Sequence, residues 1–176
     1  HQCPMQTLVA QHRTAFIPCH PPQKEERFKT NSHEAQLCAS LVAAIIKLYQ
    51  ANNLPYDAHQ TIGIIAPFRN QGALIRHALA ALDMEEFTLP ISIDTVERYQ
   101  GSQRDIIIYC TTATSPALLE LITDTTETSA PASDRIIDRK LNVAVTRARR
   151  QMFVFGVPDA LATSPLYAAM MQELNV

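Results

Sequence analysis

The chain has 176 residues and a net charge of -2, with 47% hydrophobic and 18% charged residues. This length suits one domain with its own core, and the composition is typical of a globular protein and excludes a disordered tail. The near-neutral charge excludes no class of partner, because nucleic-acid binders often carry their basic residues in one local patch.

Five short apolar runs predict β-strands. In chain order they are a weak run at 15–18 and stronger runs at 61–66, 91–95, 105–112 and 152–157. Three of the strong runs are rich in Ile and Val without clean alternation, as in strands covered on both faces. Helical patterns lie between them, at 37–48 after a cap at Asn31 or Ser32, and at 74–82. Strands that alternate with helices predict an α/β domain around a parallel sheet.

Three segments are predicted to be irregular. Residues 50–60 contain two Asn and a Pro, which favours a turn. Residues 113–135 are rich in Thr, Ser, Ala and Pro, and we interpret them as a mobile surface loop, although 118–122 could form a short helix. Residues 1–14 show no regular pattern and begin at His1 rather than Met, so we interpret them as a linker excised from a preceding domain.

No apolar run approaches the roughly 20 residues that cross a bilayer, and no signal peptide is recognisable. We therefore expect a cytoplasmic protein without a membrane partner. The four cysteines form no C-x-x-C pair, which predicts free thiols rather than disulfides. The spacing of His1, Cys3, Cys19 and His20 fits no usual zinc pattern, so no metal site is predicted.

Polar residues follow the strand at 61–66 directly, in the sequence IIAPFRNQ at 64–71. Ligands of parallel α/β sheets gather at the carboxyl ends of strands, so Arg69 and Gln71 are candidates for ligand contact. An ordinary strand-to-helix turn with a solvated Arg is the alternative.

The segment IDTVERYQGSQRD at 93–105 joins two predicted strands. Thr95 offers a hydroxyl suited to a phosphate oxygen, Gln100 offers an amide, and Gly101 lets the backbone approach a ligand closely. A simple connection between strands is the alternative.

The segment DRKLNVAVTRARR at 138–150 predicts a basic amphipathic helix. Its apolar stripe consists of Leu141, Ala144, Val145 and Ala148. At about 100° per residue, Lys140 and Arg147 lie on one flank, and Asn142 and Arg149 lie on the other. The two arginines therefore cannot easily serve one phosphate. A solvated basic helix is the alternative.

In order and spacing, these three segments resemble motifs IV, V and VI of superfamily 1 helicases, especially those of the Upf1/Dna2-like group. The resemblance is carried by IGIIAPFRNQ at 62–71, IDTVERYQGSQRDIIIYCTT at 93–112 and LNVAVTRARRQMFVFG at 141–156, with NSHEA at 31–35 ahead of them. It implies an α/β fold, namely a RecA-like, P-loop NTPase-type three-layer sandwich with a central, mainly parallel sheet. Residues 15–176 would be the second, C-terminal motor domain.

The resemblance implies that this domain works with a first RecA-like domain of the same protein. ATP with Mg²⁺ would be bound mainly by that domain, because no G-x-x-x-x-G-K-[ST] occurs here. Arg147, in T-R-A-R, matches the catalytic arginine finger. The implied ATP contacts are Arg69, Gln71, Gln100, Gly101, Gln103 and Arg147. The implied nucleic-acid contacts are Asp94, Thr95 and Asn142.

Two positions depart from the family pattern. Gln103 stands where the family often has Glu, and Gly72 stands where many members have Arg. The full-length protein is expected to be an ATP-dependent helicase that moves along single-stranded DNA or RNA, and the isolated chain is expected to be inactive. The alternative is a non-catalytic nucleic-acid or protein-binding module that has kept the helicase fold.

Overall fold

A computed structural model of the chain describes residues 3–20, 28–99, 102–123, 125–126 and 137–174. Its central sheet contains β1 (Thr14–Pro18), β2 (Ile62–Ile65), β3 (Ser92–Asp94), β4 (Arg104–Cys110) and β7 (Ala148–Gly156). All five strands are parallel, in the order β1-β7-β4-β2-β3. A separate antiparallel pair joins β5 (Thr125–Thr126) to β6 (Ile137–Asp138). The five predicted strands are confirmed.

Helices cover both faces of the sheet. One face carries α1 (Pro4–Gln11), α2 (Ser32–Ala51), α3 (Arg69–Ala80) and the short α4 (Glu85–Thr88). The other carries the 3₁₀ turn Val96–Tyr99 and the helices α5 (Pro116–Ile122), α6 (Arg139–Thr146), α7 (Pro158–Leu161) and α8 (Pro165–Leu174). This three-layer α/β arrangement confirms the predicted fold class.

The strands are apolar on both sides because both sides are buried. Along β4, Ile106 and Ile108 belong to the core beneath α2 and α3, whereas Ile107 and Tyr109 belong to the core on the opposite face. This explains why the sequence shows continuous Ile-rich runs rather than alternation. Within the described residues, no helix is long and apolar enough to cross a membrane.

The predicted site residues lie at two opposite edges of the sheet, which we call the carboxyl rim and the amino rim. The carboxyl rim comprises the residues that directly follow the strands, 19–20, 66–69, 95 and 111–113. The amino rim comprises residues that directly precede them, 60–61, 102–103 and 147. β4 is 7 residues long, and at about 3.3 Å per residue the two rims lie roughly 20 Å apart.

Two segments that we interpreted as irregular contain packed helices. Pro4 starts α1, and Val9 on this helix is buried in the core beside α2, so the expectation of no regular element before residue 15 is wrong. Three α5 side chains that face the core are also buried: Leu118, Leu119 and Ile122. Within the predicted loop 113–135, one face of α5 therefore packs on the core, while 124 and 127–136 lie outside the described residues.

The boundary between the basic helix and the last strand also differs from the prediction. α6 ends at Thr146, and Ala148 already pairs with Arg104 as the first residue of β7. The stripe residues Leu141 and Ala144 are buried as predicted, but Val145 is 50% exposed. Sheet pairing therefore overrides the helical pattern after Thr146.

Candidate nucleotide and nucleic-acid sites

The structure places the predicted site residues at opposite rims of the sheet. Arg69 follows β2 and Thr95 follows β3, so both lie at the carboxyl rim. Gln103 and Arg147 directly precede β4 and β7 at the amino rim. One phosphate group cannot be reached from two rims roughly 20 Å apart. Arg69 and Arg147 therefore cannot contact the same phosphate group, and the assignment of Arg69 to the ATP site stays a prediction.

Two further predicted ATP contacts, Gln100 and Gly101, lie outside the described residues. Their neighbour Gln103 is exposed, and it lies one residue before Arg104, which pairs with the start of β7. Of the predicted ATP contacts that the structure describes, Gln103 and Arg147 are thus the two that it brings together.

A cleft of about 380 Å³ opens at the carboxyl rim, and its lining includes Phe68, Arg69, Thr95 and Arg98. The Arg69 side chain is exposed and forms no hydrogen bond or ion pair with the described part of the chain. The Arg98 side chain is 67% exposed, and its Nε lies 3.9 Å from the Asp94 carboxylate. Guanidinium groups beside a hydroxyl suit phosphate oxygens.

Asn142 does not join this cleft. It is exposed on α6, which covers the sheet face opposite α3, and it is not among the lining residues. The structure thus brings Asp94 and Thr95 together but leaves Asn142 apart from them.

Gln71 is not available to a ligand, which corrects the prediction for this residue. Its side chain is fully buried. Its Oε1 accepts a hydrogen bond from the Asn31 backbone N–H at 2.8 Å. Its Nε2 donates to the Asn31 carbonyl at 3.0 Å and to Glu34 Oε2 at 2.9 Å. The amide therefore ties the start of α3 to the start of α2.

Glu34 is the centre of this buried network. Besides the bond from Gln71, its carboxylate accepts hydrogen bonds from the Thr112 backbone N–H at 3.0 Å and the Thr112 hydroxyl at 2.8 Å. Burial raises the pKa of Glu34 to about 7, although these three donors act in the opposite direction. The same side chain thereby connects the residues that follow β2 with those that follow β4.

Thr112 adopts a left-handed backbone conformation with φ of 54°. This conformation is rare for a β-branched residue, and strain of this kind persists only where surrounding contacts enforce it. The two hydrogen bonds to Glu34 are such contacts. The network thus fixes the path of the chain out of β4.

Three thiols lie in the same core as Glu34, namely Cys19, Cys38 and Cys110. Burial raises the pKa of the Cys110 thiol well above its usual range, with further contributions from Cys38 and Glu34. Burial likewise raises the pKa of the Cys19 thiol, so Cys19 and Cys110 are protonated and poorly reactive at neutral pH. Free thiols were predicted, and all four cysteines are free. Among the described residues, no group of three His, Cys, Asp or Glu could hold a metal ion.

Arg147 occupies the turn between α6 and β7. Its N–H donates to the Ala144 carbonyl at 3.2 Å, and its carbonyl accepts from the Arg104 N–H at 3.0 Å. The residue is partly exposed, and its Nε is buried without a hydrogen-bond partner. Within the described residues, no carboxylate pairs with it. Its guanidinium thus keeps donors that no other described residue accepts.

Arg149 differs in both position and partners. It lies in β7, at an irregularity where the register with β4 shifts, rather than on a helix flank as predicted. Its Nε lies 3.0 Å from the Asp105 carboxylate, and its Nη2 donates to the carbonyl and side-chain oxygens of Gln60 at 3.3 Å. Arg149 is therefore engaged within its own domain, whereas the Arg147 side chain has no partner among the described residues.

Comparison with known proteins identifies the family. A family described as an AAA domain matches residues 3–159. The chain is 31% identical over 157 residues to the "DNA replication ATP-dependent helicase/nuclease DNA2" of Bos taurus. The aligned region covers 88% of this chain and 12% of the bovine protein. The chain belongs to the Upf1/Dna2-like group of superfamily 1 helicases.

Two other members of this group show the same local similarity. The "Probable RNA helicase armi" of Drosophila melanogaster is 37% identical over 119 residues, or 66% of this chain and 9% of that protein. The "DNA replication ATP-dependent helicase/nuclease JHS1" of Arabidopsis thaliana is 28% identical over 138 residues, or 78% of this chain and 9% of that protein. The chain thus spans about a tenth of the length of these helicases.

Sequence reasoning missed two residues of this helicase domain. Glu34 stands in the segment NSHEA, which we used only as a family resemblance, and its buried role depends on partners 37 and 78 residues away. Arg104 stands beside Gln103 in the segment 93–105. Its side-chain partners could not be predicted from the sequence. An Arg at the start of an otherwise apolar strand was the only available indication.

Proposed function

We propose that this chain is the C-terminal motor domain of an ATP-dependent helicase, in which Arg147 is the arginine finger and the carboxyl-rim cleft holds the nucleic-acid backbone. The observation that carries the proposal is the contrast between Arg147 and Arg149. Both are basic residues of the same motif, but only Arg147 has a guanidinium free of internal partners among the described residues. A finger must reach a phosphate outside its own domain, so it requires such donors.

The positions of the proposed ATP contact and the proposed nucleic-acid cleft support a role in ATP-driven movement along a strand. Arg147 lies at the amino rim, and Thr95 lies at the carboxyl rim, with the length of β4 between them. A domain that contacts ATP at one rim and a single strand at the other can change its grip on the strand when the ATP contact changes. Such coupling requires two states that differ in their contacts to both ligands.

The amino rim fits the γ-phosphate end of a nucleotide held by a partner domain. Gln103 offers an exposed amide, and Arg147 offers a positive charge that would stabilise the charge developing on the transferred phosphoryl group. We propose that Mg²⁺ and most of the nucleotide are held by the first RecA-like domain, which is the partner of this rim. Single-stranded DNA or RNA is the proposed partner of the opposite rim.

The test is a comparison of Arg147→Ala and Arg149→Ala in the full-length protein from which this chain comes. With saturating single-stranded nucleic acid, Arg147→Ala is expected to lower ATP turnover at least about a hundredfold, given the size of arginine-finger effects. Arg149→Ala is expected to cost much less, because it removes a partly exposed ion pair worth about 1 kcal/mol or less of stability. Affinity for the single strand should stay nearly unchanged in both.

Equal losses in the two variants would contradict the finger assignment. A full-length protein that binds single strands but hydrolyses no ATP, with or without Arg147, would instead support the non-catalytic binding module.

A further inference from the structure

Arg104 is the first residue of β4, next to the amino rim, and its guanidinium contacts residues from three segments of the chain. Its Nη1 donates to the Ser102 hydroxyl at 2.7 Å and to the Gln103 carbonyl at 2.8 Å. Its Nη2 donates to the Ser92 hydroxyl at 3.1 Å, and the guanidinium carbon lies 5.6 Å from the centroid of the Tyr99 ring. Arg104 therefore joins the start of β3, the end of the 3₁₀ turn and the segment that precedes β4.

The neighbouring strand is shaped to accommodate this side chain. A Cβ atom added at Gly63 in β2 would lie 2.7 Å from Arg104 Cγ and 2.9 Å from the Tyr99 hydroxyl. Glycine in the interior of a strand loses packing and backbone entropy, so it marks a place where another group must come close. The close packing of Arg104 and Tyr99 over Gly63 accounts for the glycine.

The backbone of Arg104 connects this cluster to Arg147. Its N–H donates to the Arg147 carbonyl at 3.0 Å, and Arg104 pairs with Ala148 in the register of β4 and β7. The Nε atoms of Arg104 and Arg147 are both buried without a partner. A buried unpaired donor costs about 1–3 kcal/mol, so the other contacts of Arg104 must hold it in this orientation. Its position is thus determined by the cluster rather than by its own solvation.

We infer that Arg104 is a positioning residue for ATP hydrolysis, which holds the Ser102–Gln103 segment and the Arg147 turn in the arrangement that lets Arg147 reach a phosphate on the partner domain. This inference rests on the proposed function of Arg147. Lysine cannot replace Arg104, because an ammonium group lacks the planar set of donors that reaches Ser92, Ser102 and Gln103 at once.

The experiment uses the full-length protein and measures kcat and KM for ATP with saturating single strands, together with single-strand affinity and the melting temperature. Arg104→Lys is expected to lower kcat by roughly ten- to hundredfold, since displacing a catalytic group by about 1 Å can cost that much. Single-strand affinity should stay within about twofold, because the cleft lies at the other rim. Arg149→Lys is the matched control at the same rim, and it should retain kcat within about twofold.

A second variant guards against misfolding. The double substitution Ser92→Ala and Ser102→Ala removes two hydroxyl partners and leaves Arg104 in place, so it should lower kcat in the same direction by a smaller factor. The inference would be overturned if Arg104→Lys and the double variant both kept the wild-type kcat. It would also be overturned if Arg149→Lys lowered kcat as much as Arg104→Lys does. If instead Arg147→Ala retains wild-type turnover, the proposed function itself fails and the positioning role falls with it.

Discussion

Replacing Glu34 with Gln perturbs the buried network at the carboxyl rim without changing the size of the side chain. Glu34 accepts hydrogen bonds at both carboxylate oxygens, whereas Gln has one oxygen and one amide group. In either orientation the amide faces an N–H donor, from the Thr112 backbone or from Gln71. A buried donor left without an acceptor costs about 1–3 kcal/mol.

The destabilisation caused by Glu34→Gln depends on pH, because Glu34 titrates in the folded protein. Burial raises its pKa from 4.5 to about 7, so the folded state binds this proton more tightly than the unfolded state. Its contribution to stability is full below the unfolded pKa and is lost as the pH rises through about 7. At about 1.4 kcal/mol per pH unit, the loss amounts to about 3 kcal/mol.

The protonated form fits the network as well. A neutral Glu34 can donate to the Thr112 hydroxyl at 2.8 Å, and that hydroxyl can turn its own hydrogen to the Cys110 carbonyl, 3.3 Å away. Wild-type protein at low pH therefore leaves no donor unpaired here, and Glu34→Gln does. We expect the free energy of unfolding of the variant to be lower than that of the wild type by about 1–3 kcal/mol at about pH 5. This stability gap should close by about pH 8, because the wild type loses the contribution of protonated Glu34.

Urea denaturation of the two proteins over this pH range, followed by circular dichroism, measures the gap. Glu120→Gln makes the same substitution at an exposed position on α5 and should follow the wild type at every pH. A gap that stays constant with pH would refute the reasoning, because it would mean that Glu34 does not change protonation in the range expected.

Two further predictions concern the two rims. Arg69→Ala should weaken single-strand binding and reduce the slope of log affinity against log salt by about 0.7, measured by fluorescence anisotropy; Lys47→Ala, an exposed change on α2, should leave the slope unchanged. An identical slope in Arg69→Ala would remove Arg69 from the nucleic-acid site. The purified chain should show no ATP turnover with Mg²⁺, with or without single strands, and metal-dependent turnover above background would contradict its role as half of a two-domain site.

The central sheet could be predicted because its strands are covered on both faces and therefore appear as continuous apolar runs. The cap of α2 could be predicted as well, because Asn31 is a strong N-cap and its side chain does accept the Glu34 N–H. α1 was missed although the sequence carried a signal. Pro4 occupies a first-turn position, and Met5, Leu8 and Val9 repeat at three and four residues.

The composition of the site was less predictable than the fold. Gln71 and Arg69 follow the same strand two residues apart, but one is fully buried and the other is exposed. The difference arises from Glu34 and Asn31, which are about 40 residues distant in sequence and form hydrogen bonds with the Gln71 side chain but not with that of Arg69. The early start of β7 likewise depends on pairing with β4, which local helical periodicity does not encode.

The position of Arg147 at the head of β7 has a mechanical consequence. β7 pairs with β4 at Ala148 and again from Gln151 to Phe155, and with β1 from Met152 to Gly156. A force applied to Arg147 along the strand loads the ladder to β4 first and the ladder to β1 from Met152 onward, both in shear, so several hydrogen bonds share it. β7 cannot slide past its neighbours without breaking both ladders together. A force on the Arg147 turn therefore moves the sheet as one rigid unit, and the cleft at the carboxyl rim moves with it.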